Sequence, residues 1–112
     1  MEYIKEENRI YLVDDNNKEI AVVEFPYINE GVVNVIHTEV DDSLKGKGIA
    51  GKLMLELVKE FRKDNRKAIL TCSYAVRWFD KHPEYFDVLM DIEAFKKQAK
   101  ENTLACGINL NK

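Results

Sequence analysis

The sequence predicts an α+β fold, in which an antiparallel meander of strands leads into one parallel strand–helix–strand unit with helices packed on the sheet. Three observations carry this expectation. Short runs of alternating or β-branched residues, separated by polar turns, fill the chain up to Val40. An amphipathic helix follows, with Ala50, Leu53, Met54, Leu57, Val58 and Phe61 on one face and Lys52, Glu56, Lys59, Glu60 and Lys63 on the other. A short strand, Ala68–Cys72, comes next, and a strand–helix–strand unit of this length implies a parallel pair with a right-handed crossover. At 112 residues the chain makes one domain, 1–112, with residues 90–112 a C-terminal helical extension and tail.

In order, Arg9–Val13 reads as a strand and Asp14–Lys18 as a polar turn. Glu19–Phe25 reads as a second strand paired to the first, and Pro26 ends it. Tyr27–Gly31 is expected to be a loop. Val32–Val40 reads as one continuous strand. Its alternation puts Val32, Asn34, Ile36, Thr38 and Val40 on one face and Val33, Val35, His37 and Glu39 on the other. Asn65 closes the long helix. After the strand Ala68–Cys72, Ser73 is placed to cap a short helix through Phe79. His82-Pro83 breaks that helix, and a further helix is expected from Glu84, with Leu89, Ile92, Phe95 and Ala99 on its apolar face. Thr103–Lys112 is expected to be a tail.

Between meander and helix lies the densest signal. The chain has five glycines, and Gly46, Gly48 and Gly51 sit where the helix should begin, among Lys45, Lys47 and Lys52. Glycine allows positive φ and close approach of the backbone to a ligand. The first N–H groups of a helix lack internal partners, and its dipole adds about half a positive charge there. Loop and helix together suit a phosphate. Three motifs can be written over these letters. A P-loop needs Ser or Thr after its lysine, where this chain has Leu53 on the apolar helix face. A dinucleotide fingerprint needs an acid ending the next strand and several strand–helix units; Ala68–Cys72 ends without an acid and one unit is present. The third, Lys45-x-x-Gly48-x-Ala50, resembles the acyl-CoA pyrophosphate loop of the GNAT N-acetyltransferases, with Lys45 in place of glutamine or arginine.

Composition narrows the function further. A net charge of −3 gives no general basic surface, so nucleic acid is not expected as a partner. Two cysteines and two histidines make no spaced metal motif, and no metal is expected. The N-terminal residues lack an apolar signal core and no segment is long enough to span a membrane, so the expected compartment is the cytoplasm, with both thiols reduced. Cys106, in the tail, is read as without function.

The string HTEVDDSLKGKGIAGKL, followed by LTCSYAVRWFDKHPEY, resembles the small YjdJ-type branch of the GNAT superfamily over roughly Ile10 to Leu89. The resemblance implies a reduced GNAT fold, acetyl-CoA as co-substrate, and transfer of an acetyl group to an amine acceptor. The chain departs from the pattern at Lys45 and continues beyond the matched part after Val88. A monomer or weak homodimer is expected.

On this reading the pyrophosphate lies on the N–H groups of Gly46, Lys47, Gly48, Ile49 and Ala50. The pantetheine arm runs where the parallel strands diverge, beside the backbone of Thr38 and Val40. The thioester then arrives near His37 and Cys72. His37 suits a general base because imidazole titrates near neutral pH. Cys72 stands at a strand end just before a helix N-terminus, a place that favours thiolate chemistry. Either it carries the acetyl group or it protonates the departing thiolate during direct attack by the amine. Tyr74 is the candidate proton donor to that thiolate. The alternative from another class is a non-catalytic CoA- or acyl-CoA-binding module acting as a sensor or partner protein.

Overall fold

A break at Ile36 organises the molecule. Val32 to Val40 forms two strands, β5 (Val32–Val35) and β6 (His37–Val40), and the two belong to different sheets. The computed structural model describes residues 2–110, with side chains through Glu101. The first sheet runs β1-β2-β3-β6, where β1 is Glu2–Lys5, β2 is Arg9–Val13 and β3 is Glu19–Glu24. All its pairs are antiparallel. The second runs β4-β5-β7, where β4 is Tyr27–Asn29 and β7 is Lys67–Leu70. Here β5 and β7 are parallel, from Val32 opposite Lys67 to Val35 opposite Leu70. The meander and the parallel unit are therefore both present.

Two strands were not expected. β1 has charged residues at both ends and is held by its ladder to β2, with Tyr3 opposite Leu12. β4 replaces the expected loop after Pro26; its three residues are exposed and it forms an edge.

The break also shifts the side-chain phase. The Ile36 N–H donates to the Glu24 carbonyl at 3.0 Å, although Ile36 belongs to neither strand. One extra residue on one strand moves every later side chain to the other face. Val33 and Val35 are fully buried, Ile36 and His37 are exposed, and Thr38 and Val40 turn back inward. The expected grouping of His37 and Glu39 with Val33 and Val35 is corrected by this bulge.

Helix α1 (Ile49–Asp64) packs its expected apolar face on β2, β3 and β6 of the first sheet, with Leu53, Met54, Leu57 and Phe61 fully buried. Phe61 meets Phe25 edge to face, ring centroids 5.2 Å apart. Asn65 ends the helix in the left-handed region, φ 55°, as its side chain permits. Arg66 follows with only 5% exposure. Its guanidinium donates to the Glu7 carbonyl and to Asp64, each at 2.6 Å, and lies against the rings of Phe25, Tyr27 and Phe61. It ties the end of α1 to the β1–β2 turn.

Helix α2 (Ser73–Asp80) is capped one residue earlier than expected, at Cys72. Trp78 stacks on His82 and Tyr85, and the His82 ring nitrogen Nδ1 lies 2.7 Å from the Trp78 carbonyl. His82 thus ends the helix. The helix expected from Glu84 is a 3-10 turn, Pro83–Val88. Leu89 and Met90 leave it because they pair with β7: Met90 N–H donates to the Ala68 carbonyl at 2.9 Å. Helix α3 (Ile92–Leu110) then starts on Asp91, whose carboxylate accepts the Ala94 N–H at 3.0 Å. Phe95 and Ala99 join the core, and the Gln98 amide donates to the Leu70 carbonyl. The helix spans much of the expected tail, while Asn111 and Lys112 lie outside the described residues, as does the side chain of Cys106. Among the described residues no helix is long and apolar enough to cross a membrane.

Candidate active site

The glycine loop shapes the start of α1. A short 3-10 turn, Asp42–Leu44, is capped by Asp41, which accepts the Ser43 N–H at 3.0 Å. Gly46 (φ 83°) and Gly48 (φ 74°) then take the left-handed conformation that other residues adopt at a cost. A Cβ at either would meet nothing within 4 Å, so the space before the loop is open. Gly48 is the N-cap of α1, offers no side-chain cap, and no acid stands in the first turn. Lys52 is the first residue to reach back along the helix, to the Gly48 carbonyl at 3.1 Å. The N–H groups of Ile49, Ala50 and Gly51 are therefore left to an outside acceptor. Lys45 adds charge at the rim. Its ammonium lies 2.8 Å from Asp42, and that bond raises its pKa.

A cleft of about 410 Å³ opens in front of this helix end. Its walls are Thr38, Val40, Leu44, Lys45, Gly46, Gly48, Ile49, Ala50, Gly51 and Tyr74. β6 is an edge strand here, because its sheet ends with it and β5 has left for β7. The Asp41 N–H donates to the Ile20 carbonyl at 2.8 Å. By the alternation of an antiparallel ladder, the backbone groups of Thr38 and Val40 then turn away from β3, toward the open edge. The larger hollow between the β1–β2 turn and the far end of α1 is wide, shallow and rimmed by carboxylates and lysines, and holds none of these features.

Of the residues singled out in the sequence, Thr38, Val40, Lys45, Gly46, Gly48, Ile49, Ala50 and Tyr74 come together on this cleft. Lys47 belongs to the same loop without lining it. Cys72 stands behind the wall, half-buried, with its Sγ–H donating to Thr38 Oγ1 at 3.5 Å. His37 is not brought in. It follows the bulge, points to the opposite face from Thr38, and its Nε2 lies 3.2 Å from Glu39 Oε2. Burial raises the Tyr74 pKa, with Arg77 opposing and Cys72 adding to the rise, so the phenol keeps its proton. Leu44, which no motif singles out, and Gly51 also line the wall. A methyl at Gly51 would make ordinary contact, 3.5 Å from Trp78 Nε1 and 3.9 Å from the Tyr74 hydroxyl, so packing does not require glycine there. Among the described residues no group of three or more His, Cys, Asp or Glu is placed to hold a metal ion.

An uncapped helix start, an apolar wall, an open strand edge and a phenol thus meet in one cleft. The sequence pattern of the GCN5-related N-acetyl-transferases matches residues 9–88. Protein NATD1 of Gallus gallus is 33% identical over 63 residues, covering 56% of this chain and 57% of that protein. The Homo sapiens protein of that name is likewise 33% identical over 63 residues, 56% of each chain. The chain thus spans just over half the length of these curated relatives. A GCN5-like protein from Staphylococcus aureus, solved by NMR, is 34% identical with a TM-score of 0.66, over 80% of this chain and 87% of that one. The ribosomal-protein-S18-alanine N-acetyltransferase of Escherichia coli shares the fold alone, at 14% identity and TM-score 0.54, over 70% of this chain and 50% of that one. On the match over residues 9–88, which is most of its length, this chain belongs to the GCN5-related N-acetyltransferase family.

Proposed function

We propose that this protein is an N-acetyltransferase that moves the acetyl group of acetyl-CoA to an amine, and that it belongs to the small YjdJ-type branch of its family. The observation that supports this most is the cleft at the uncapped start of α1 beside the free edge of β6. The residues suit coenzyme A. The free N–H groups of Ile49, Ala50 and Gly51 and the helix dipole would hold the pyrophosphate against the Gly46–Gly48 turn, with Lys45 and Lys47 nearby; the Lys47 N–H is taken by the Leu44 carbonyl. Val40, Leu44 and Ile49 offer apolar contact to the pantetheine arm, and the edge backbone of Thr38 and Val40 offers it hydrogen bonds. Acetyl-CoA supplies an activated carbonyl.

The chain's own residues have three tasks. The cleft orients the thioester, and holding both reactants in place is worth about 7–11 kcal/mol of a barrier. Tyr74, held protonated by its burial, donates toward the sulfur that departs. Cys72, behind Thr38, either protonates that sulfur or takes the acetyl group itself. His37 faces away from the cleft, against Glu39, and has no task on the reacting atoms in this reading. Titration calorimetry with coenzyme A tests the binding site, and amine-dependent release of free thiol from acetyl-CoA tests turnover. Tight binding with no thiol release across metabolite amines, peptide N-termini and lysine peptides would leave a CoA-binding module in place of an enzyme.

A further inference from the structure

The cleft and the thiol are separated by one side chain. Thr38 lines the cleft, Cys72 does not, and the contact between them is the 3.5 Å bond from Sγ–H to Oγ1. Thr38 lies on β6 and Cys72 just past the end of β7, strands of different sheets. Cys72 caps α2 through its backbone and not its side chain: the Val76 N–H donates to its carbonyl at 3.0 Å. The strand end that carries it is fixed too, because Thr71 and Cys72 both donate their N–H groups to the Val35 carbonyl at 3.0 Å. The backbone of Cys72 is thus held from one side and its sulfur from the other.

We propose that Thr38 is a positioning residue for the proposed acetyl transfer, acting through its side-chain hydroxyl. A hydroxyl offers one donor and two acceptor sites. It accepts the Cys72 S–H at rest and can turn its own O–H to the sulfur when that sulfur carries charge. The methyl of threonine fixes χ1 on a strand, which holds the hydroxyl in one direction. The bulge at Ile36 makes this possible, because it puts Thr38, and not His37, on the inner face. The inference rests on the acetyltransferase reading for its purpose, though the link between Thr38 and Cys72 can be tested without turnover.

The experiment compares the wild type with Thr38→Val, which keeps the shape, and Thr38→Ser, which keeps the hydroxyl. Alkylation of Cys72 by iodoacetamide is followed by mass of the peptide that carries it, so Cys106 does not interfere. Thr38→Val is expected to slow alkylation about tenfold, the loss of one hydrogen bond to a charged group, and Thr38→Ser to restore it. Turnover should fall in Thr38→Val and recover in Thr38→Ser, and the change to valine in a Cys72→Ala background should cost nothing more. Wild-type alkylation in a folded Thr38→Val protein overturns the proposal, as does a loss that Thr38→Ser fails to restore. Slowed alkylation restored by serine, in a protein that releases no thiol with any amine, supports the link and refutes the enzyme.

Discussion

Placing one carboxylate at Gly48 tests whether phosphates lie at the start of α1. Gly48 has φ 74°, and a Cβ there meets nothing within 4 Å. A substitution therefore strains the backbone but clashes with no neighbour. Left-handed backbone costs most L-residues roughly 1–2 kcal/mol, and Asn and Asp less, because their short polar side chains bond locally. Asn and Asp have nearly the same shape, so Gly48→Asn carries the strain and Gly48→Asp adds only charge. At about 5 Å from one phosphate charge, that carboxylate is repelled by roughly 3 kcal/mol at an effective dielectric near 20, and by just under about 1 kcal/mol in bulk water. The cleft is open to solvent, so the Asp variant should bind coenzyme A about 1–3 kcal/mol more weakly than the Asn variant, roughly 5- to 150-fold in Kd. Calorimetry of both at two salt concentrations gives the answer, and the gap should shrink as salt rises. Equal affinities for Asn and Asp at low salt would place the phosphates elsewhere.

Three more expectations follow from the same geometry. Gly51→Ala adds a methyl at ordinary contact distance from Trp78 and Tyr74, so it should raise the melting temperature, by up to about 1 kcal/mol of helix preference, and leave coenzyme A affinity unchanged; lost affinity would revive the P-loop reading. Tyr74→Phe should lower turnover by about 10²-fold, the usual scale of a general acid, with coenzyme A affinity intact. Because burial raises the Tyr74 pKa, the wild-type rate should begin its alkaline fall only above pH ~10, and that limb should be missing in the Phe variant. Asp87 accepts two bonds from the Arg62 guanidinium, at 3.0 and 2.7 Å, and this pairing lowers its pKa. Its stabilising effect is present above the unfolded aspartate value of about 3.9 and fades as pH falls through the lower folded value. The melting temperatures of wild type and Asp87→Asn should thus differ at pH 7 and converge in acid; a constant gap would deny the ion pair.

The long helix and its loop could be read from the chain because both signals are local. Leu53, Met54, Leu57, Val58 and Phe61 repeat at helical spacing, and all are buried. Gly46 and Gly48 needed positive φ, and both have it. The bulge at Ile36 was hidden, since Val32–Val40 alternates well enough to pass for one strand. What breaks it is a choice between partners, β7 for the first half and β3 for the second. That choice moved His37 off the cleft and Thr38 onto it. Likewise Glu84–Met90 has helical spacing, yet Leu89 and Met90 are drawn to β7. Tertiary pairing overrode local preference in both places.

β7 has a strand on one side only, and its other edge turns out two carbonyls, those of Ala68 and Leu70. Met90 takes the first through its backbone and Gln98 takes the second through its side chain. An unpaired strand edge is a template on which another chain can add. Both covering residues lie beyond Val88, outside the part that matches the family pattern. The segment beyond the family pattern thus covers the open edge of β7. A Gln98→Ala protein would keep its cleft yet expose one strand carbonyl to any neighbour able to donate to it, and its solubility would then depend on protein concentration.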